Sequence, residues 1–160
     1  MPNWAEGYIK IRGKKENIKS FIENNIIHFL DINATQEKYF KVKWEDEDYI
    51  RYDLEDAKEH EMSWLKDSRR HFIVGNEIHI YNSKKDEYIS AMFLKAAWAV
   101  DIDYISEISE SYDIDIKIYS FEKGIEFNQD IEVHKGKIIK NKEVKFKNYM
   151  WECICPTLGG

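Results

Sequence analysis

Between residues 89 and 127 the spacing of apolar positions changes twice, and this stretch organises the rest of the chain. An apolar run ends at Trp98, and Asp101 and Asp103 follow where a helix would start. Ile105, Ile108 and Tyr112 recur at i, i+3 and i+7, which is one face of an α-helix. Ile114, Ile116 and Ile118 then alternate with charged residues, as in a half-buried strand, and the alternation resumes at Ile125 and Phe127 after Gly124. Strand, helix, strand and hairpin in that order are half of a ferredoxin-like sandwich. Trp98, Ile105, Ile108 and Ile116 are expected to share one core.

The remaining pattern extends this reading. Tyr8 to Arg12 alternate as a first strand closed by Gly13. Ile18, Phe21, Ile22, Ile26 and Phe29 fall on one face of a helix predicted over 14–30, with Ile27 nearly opposite. Residues 39–44 read as a strand that 49–52 either continue or return, with the acidic run 45–48 as the turn. Asp53 reads as the N-cap of a helix running to Arg70, with Glu55 and Asp56 in its first turn and Leu54, Ala57, Met62 and Leu65 as its buried stripe. Gly75-Asn76 and Lys135-Gly136 are hairpin signals, and 149–154 extends an edge strand. Three helices and seven or eight strands make an α+β fold. The expectation is one domain over 1–160, a ferredoxin-like sandwich whose antiparallel sheet carries helices on one face, with an acidic insertion at about 45–66.

Composition adds bounds. A chain of 160 residues that is 43% apolar, with only two prolines, folds as a globule rather than a linker. The longest apolar stretch, 89–100, includes Ser90 and Lys95 and falls short of the roughly 20 residues that span a bilayer. Glu6, Lys10 and Arg12 stand where a signal peptide needs an apolar core, so a cytoplasmic location is expected. Cys153 and Cys155 are too few for a disulfide framework.

Charge is segregated. Glu45, Asp46, Glu47, Asp48, Asp53, Glu55, Asp56, Glu59 and Glu61 crowd one segment against Arg51 and Lys58, within a net charge of −6. Capping accounts for Asp53, Glu55 and Asp56. Four adjacent acids at 45–48 repel one another and ask for a cation or a basic partner. The chemistry-bearing motifs are weak by contrast. Cys153-Ile-Cys155 lacks the four ligands of a closed metal site, and Asp101-Ile-Asp103 and Asp113-Ile-Asp115 sit where aspartates cap helices and turns. Tyr39, Phe40 and Trp44 are candidates for a base-stacking platform but lack the basic–glycine–aromatic strand motif. Trp4, Trp98 and Trp151 read as core anchors. No hydrolase, zinc-protease or phosphate-loop motif is present, and no catalytic residue, metal or cofactor is expected.

Met1-Pro2-Asn3-Trp4, Gly13 after the first strand, Phe93 and Trp98, Gly124 and Phe127, Glu132 and Gly136, and the late Trp151 together resemble the YubB ferredoxin-like family of plasmid and phage proteins. Ala5, Glu6 and Gly7 replace the cysteine and asparagine usual after the opening Trp, and Ala99 and Val100 replace the prolines after the central one. The resemblance implies a mobile-element protein with a ferredoxin-like fold and supplies no activity. With the charge pattern, it leads to a non-enzymatic protein-binding module: an acidic, nucleic-acid-mimicking inhibitor of a basic host nucleic-acid-handling or defence protein, comparable to an anti-CRISPR. The partner-binding residues expected are Glu45, Asp46, Glu47, Asp48, Asp53, Glu55 and Asp56. Direct nucleic-acid binding is disfavoured by net charge. The alternative is a small nucleic-acid-binding or metal-dependent processing protein using Lys14, Lys15, Lys19, Lys135, Lys137, Lys140, Lys142, Lys145 and Lys147, for which a continuous basic sheet face would be the mark.

Overall fold

A computed structural model describes residues 2–29 and 37–160. In chain order its elements are β1 (Trp4–Gly13), α1 (Lys15–Asn25), β2 (Ile26–Phe29), β3 (Glu37–Tyr39), β4 (Lys41–Glu45), β5 (Tyr49–Asp53), β6 (Met62–Leu65), β7 (His71–Val74), β8 (Glu77–Lys84), β9 (Glu87–Ala97), α2 (Ile102–Ser111), β10 (Asp115–Glu122), β11 (Phe127–His134), β12 (Lys137–Lys145) and the one-turn α3 (Tyr149–Glu152). No described helix is long and apolar enough to cross a membrane.

All twelve strands join one antiparallel sheet in the order β12-β11-β10-β1-β9-β7-β6-β2-β3, with β8, β5 and β4 branching from β9. β9 pairs β1 along one edge over its whole length. Its other edge is shared end to end by β8 and β7. The alternation seen in the sequence sorts these strands into two faces. Ile9 and Ile11 of β1, Met92 and Leu94 of β9, Ile116 and Ile118 of β10, and Ile131 and Val133 of β11 point inward, against Ile18, Phe21 and Ile22 of α1 and Ile105 and Ile108 of α2. Asp101 caps α2 as expected, its carboxylate accepting from the backbone N–H groups of Asp103 and Tyr104. The hairpin at Lys135-Gly136 is also present, both residues having positive φ (47° and 85°), the geometry of a type I′ turn.

The ferredoxin-like α+β sandwich is overturned. Among the described residues 52% are strand and 16% helix, a single large sheet rather than a sheet and helix layer of comparable extent. The difference has three local causes. α1 ends at Asn25 because Ile26 is already extended (φ −98°, ψ 111°), so Ile26 and Ile27 are both buried in β2 rather than on opposite sides of a helix. The helix expected over 53–70 does not form: Met62 and Trp64 point outward and Ser63 and Leu65 inward, a period of two, while Asp56 and Asp67 take positive φ. Gly75-Asn76 is a kink (Gly75 φ 122°) within one run along β9, not a hairpin, because β7 and β8 both pair β9 and not each other. The tail expected as an edge strand forms α3 instead.

Trp98 departs from the expected core as well. It is 52% exposed, at φ 70°, immediately after β9. Ile105, Ile108 and Ile116 are buried together as expected.

Gly7 lies mid-β1, where β10 approaches so closely that a Cβ would run into the Tyr119 carbonyl oxygen. Gly7→Ala is expected to lower the unfolding free energy by about 1–3 kcal/mol, the usual cost of overpacking. Urea denaturation checks this; an unchanged midpoint would mean that β10 yields without cost.

Candidate functional site

The seven acidic candidates separate into two groups. Glu45, at the end of β4, accepts from Lys19 Nζ at 2.9 Å, with Lys15 Nζ at 3.8 Å. Asp46 closes the β4–β5 turn: Oδ1 accepts from the N–H groups of Asp48 and Tyr49, each at 2.9 Å, and Oδ2 from Trp44 Nε1 at 3.2 Å. The Trp44 bond first, then that of Asp48, holds the Asp46 carboxyl below its ordinary range. Asp48 accepts from Asn82 Nδ2 at 3.1 Å, and the Glu47 backbone carbonyl accepts from the Tyr88 hydroxyl at 2.7 Å. The repulsion inferred from the sequence is thus offset within the molecule. Asp53, Glu55 and Asp56 instead converge with Glu77 on a cleft of about 260 Å³, which Lys41 and Lys43 also line. Asp53 is held there by Arg51 at 2.7 Å, and Asp56 faces Lys38 at 3.4 Å. Among the described residues no three His, Cys, Asp or Glu side chains gather as metal ligands.

A different surface carries a row of aromatic residues on adjacent strands. On the face of the sheet turned away from α1 and α2, register places Tyr119, Tyr8 and Phe93 side by side on β10, β1 and β9. Tyr8 is 56% exposed and meets Phe93 edge to face at 5.5 Å. Two residues along one direction, Phe121, Glu6, Lys95, Phe72 and Trp64 form a second row. There Lys95 Nζ pairs with Glu6 at 2.6 Å and lies 5.1 Å from the centre of the Trp4 ring. Trp4 and Trp64 flank Phe72 at 5.7 and 4.3 Å. Two residues in the other direction, Lys117 and Lys10 stand directly opposite each other. They line a cleft of about 170 Å³ with Arg12, His134, Asp115 and Glu132. The acids bordering this face are paired: Asp115 with Arg12 at 2.7 Å, Glu132 with His134 at 2.8 Å and Lys117 at 3.8 Å, Asp130 with Lys140 at 3.1 Å. No salt bridge to Lys10 is present among the described residues.

Sequence reasoning did not find this surface, because residues 8, 93 and 119 become neighbours only through strand order. The available signal was an aromatic at the polar phase of three alternating strands. The stacking platform considered at Tyr39, Phe40 and Trp44 is not assembled, and of the three only Phe40 packs in the core, while Tyr39 and Trp44 point to solvent from different strands. Trp151, expected in the core, is 85% exposed on α3. The two cysteines are apart in environment, Cys153 being buried against Asn128 and Cys155 exposed.

Among the described residues one Ser–His–acid line and one Ser–His pair occur, and neither presents a usable nucleophile. Ser63 Oγ lies 3.3 Å from His28 Nδ1, and His28 Nε2 lies 3.2 Å from Glu61. Ser63 is wholly buried, so no substrate reaches its oxygen. In the Ser–His pair Asp101 N–H donates to His71 Nε2 at 3.0 Å, which leaves the ring proton on Nδ1, donating to Ser68 Oγ at 2.6 Å. A histidine so arranged cannot accept the serine proton. Comparison with protein-family models, curated proteins and solved structures gives no match.

His71 is also a stability determinant. Burial, reinforced by Arg70 and opposed by Asp101, pulls its pKa down to about 4 from 6.5. Between those values the unfolded chain binds a proton that the folded one refuses, so stability falls as pH drops from 6.5 toward 4, by about 3 kcal/mol in all. His71→Gln, which keeps an acceptor for the Asp101 N–H, is expected to flatten that segment of the profile. Urea midpoints across this range check it, and an equally steep fall in the variant would assign the titration to other groups.

Proposed function

We propose that this protein is a non-enzymatic binding module that docks a macromolecular partner on the face of its sheet turned away from α1 and α2, beside α3, whose Tyr149 and Cys153 cover Asn128 at the β11 side of that face. The observation that carries this reading is the Tyr119–Tyr8–Phe93 row, three aromatics on adjacent strands that α1 and α2 leave uncovered. Aromatic side chains bury large areas for little rotamer entropy, and a paired strand holds them in place before the partner arrives. The burial of Ser63 in the Ser63–His28–Glu61 line, and the tautomer that the Asp101 N–H imposes on His71 beside Ser68, support binding over catalysis. The YubB-like residues at Met1-Pro2-Asn3-Trp4 and Trp98 support a mobile-element protein acting in the host cytoplasm.

A second reading rests on the acidic cleft. The convergence of Asp53, Glu55 and Asp56 supports entry of a lysine or arginine from a basic, nucleic-acid-handling host protein, as for an inhibitor that mimics phosphate charge. Photo-cross-linking separates the two. A photoreactive p-benzoylphenylalanine in place of Tyr8 is expected to trap a partner in bacterial lysate, while the same residue at Glu107, on the exposed side of α2, is not. Trapping from position 55 alone would favour the acidic cleft, and no adduct from position 8 would reject docking on the open face.

A further inference from the structure

We infer that the partner of this face is single-stranded nucleic acid, its bases stacked along Tyr119, Tyr8 and Phe93 and its phosphates bound at the Lys10–Lys117 pair. The inference rests on the open face being the docking surface and adds the chemistry of what docks.

Two independent observations meet here. Every base has a flat π-face, and exposed aromatic rings on adjacent strands of a sheet supply matching surfaces without reading the sequence. The second observation is electrostatic. Lys10 and Lys117 are directly opposed across β1 and β10, and like charges so placed destabilise a sheet unless an anion lies between them. Lys117 has only a distant acid, Glu132 at 3.8 Å, which His134 already engages at 2.8 Å. The lysine row lies two residues from the aromatic row, about 7 Å along the strands, within reach of the phosphate of a stacked nucleotide. A cleft of about 170 Å³ lies beside the pair; Arg12 and His134 in its wall are engaged by Asp115 and Glu132, which also line it, so the phosphate is left to Lys10 and Lys117 at its edge.

The chain's net charge of −6 opposes polyanion binding at long range, yet Asp115, Glu6 and Asp130 on this face are held by Arg12, Lys95 and Lys140 at 3.1 Å or less, and Glu132 lies 2.8 Å from His134. Local geometry therefore outweighs the distant field once screening sets in beyond about 8–10 Å. A duplex hides its base faces in its own stack, so a single strand is the form that fits. An acidic peptide would satisfy the lysines and leave the aromatic row without a flat counterpart.

Fluorescence anisotropy with labelled oligothymidylate, oligouridylate and a duplex of matching length tests this on the full chain. Binding of a single strand and preference over the duplex are expected, with affinity falling as salt rises. Comparing the thymidylate and uridylate arms identifies DNA or RNA as the ligand. Tyr8→Ala and Tyr119→Ala are each expected to weaken binding by about tenfold, a stacking contribution. Lys10→Glu is expected to weaken binding and flatten the salt dependence. Tyr8 and Lys10 are exposed, so circular dichroism should show both variants folded. Absence of single-strand binding at low salt, or binding indifferent to these substitutions, overturns the inference. If the oligonucleotides fail while the Tyr8 cross-linker traps a protein, docking on the open face stands and the nucleic-acid assignment falls. If both fail, both fall.

Discussion

The pairing of β9 along both of its edges is the constraint on which the rest depends. β1 occupies one edge over ten register pairs, and β7 and β8 divide the other. A strand held on both sides cannot slip by one residue without sending Met92 and Leu94 to solvent and Phe93 and Lys95 into the core, so its register is tied to the buried face. That register sets β1, and β1 sets β10 through Gly7, whose missing side chain lets the two backbones close. The aromatic row and the opposed lysines are consequences of these pairings.

The same alternation separates two tasks. Inward positions are dominated by isoleucine and pack against α1 and α2, giving a face of low polarity and high shape constraint. Outward positions mix aromatics with lysines and paired acids, and they escape the packing demand because those helices are confined to the other face. Such a surface is rigid without being committed to the core. This arrangement suits recognition, since the ordering cost is met in folding rather than in binding.

Charge is handled locally in ways that total composition does not reveal. The acidic turn at 45–48 is stabilised by Lys19, Trp44, Asn82 and the backbone of its own hairpin. The buried His71 is kept neutral because its surroundings exclude water and Arg70 stands beside it, and its Nε2 accepts from the Asp101 N–H. Both features make carboxylates and imidazoles that look available in the sequence into parts of the scaffold.

What the sequence determined by itself was local. The alternation at 8–12 and 114–118, the N-cap of α2 and the Lys135-Gly136 turn follow from steric and hydrogen-bonding preferences within a few residues, and the structure contains them, whereas the single strand expected over 39–44 is split at Phe40 between β3, which pairs β2, and β4, which pairs β5. The helix expected over 53–70 failed because apolar spacing there fits two periods, and only pairing of β6 with β7 and β2 chose the strand. Gly75 failed as a hairpin for the same reason: a glycine permits a reversal or a kink, and the partner strand decides which. The sandwich itself failed because helix and strand content depend on such choices summed over the chain. Tertiary structure alone decided the candidate site. Tyr8, Phe93 and Tyr119 are separated by tens of residues, and their adjacency arises from strand order, which long-range backbone hydrogen bonding and burial of the isoleucine face select together.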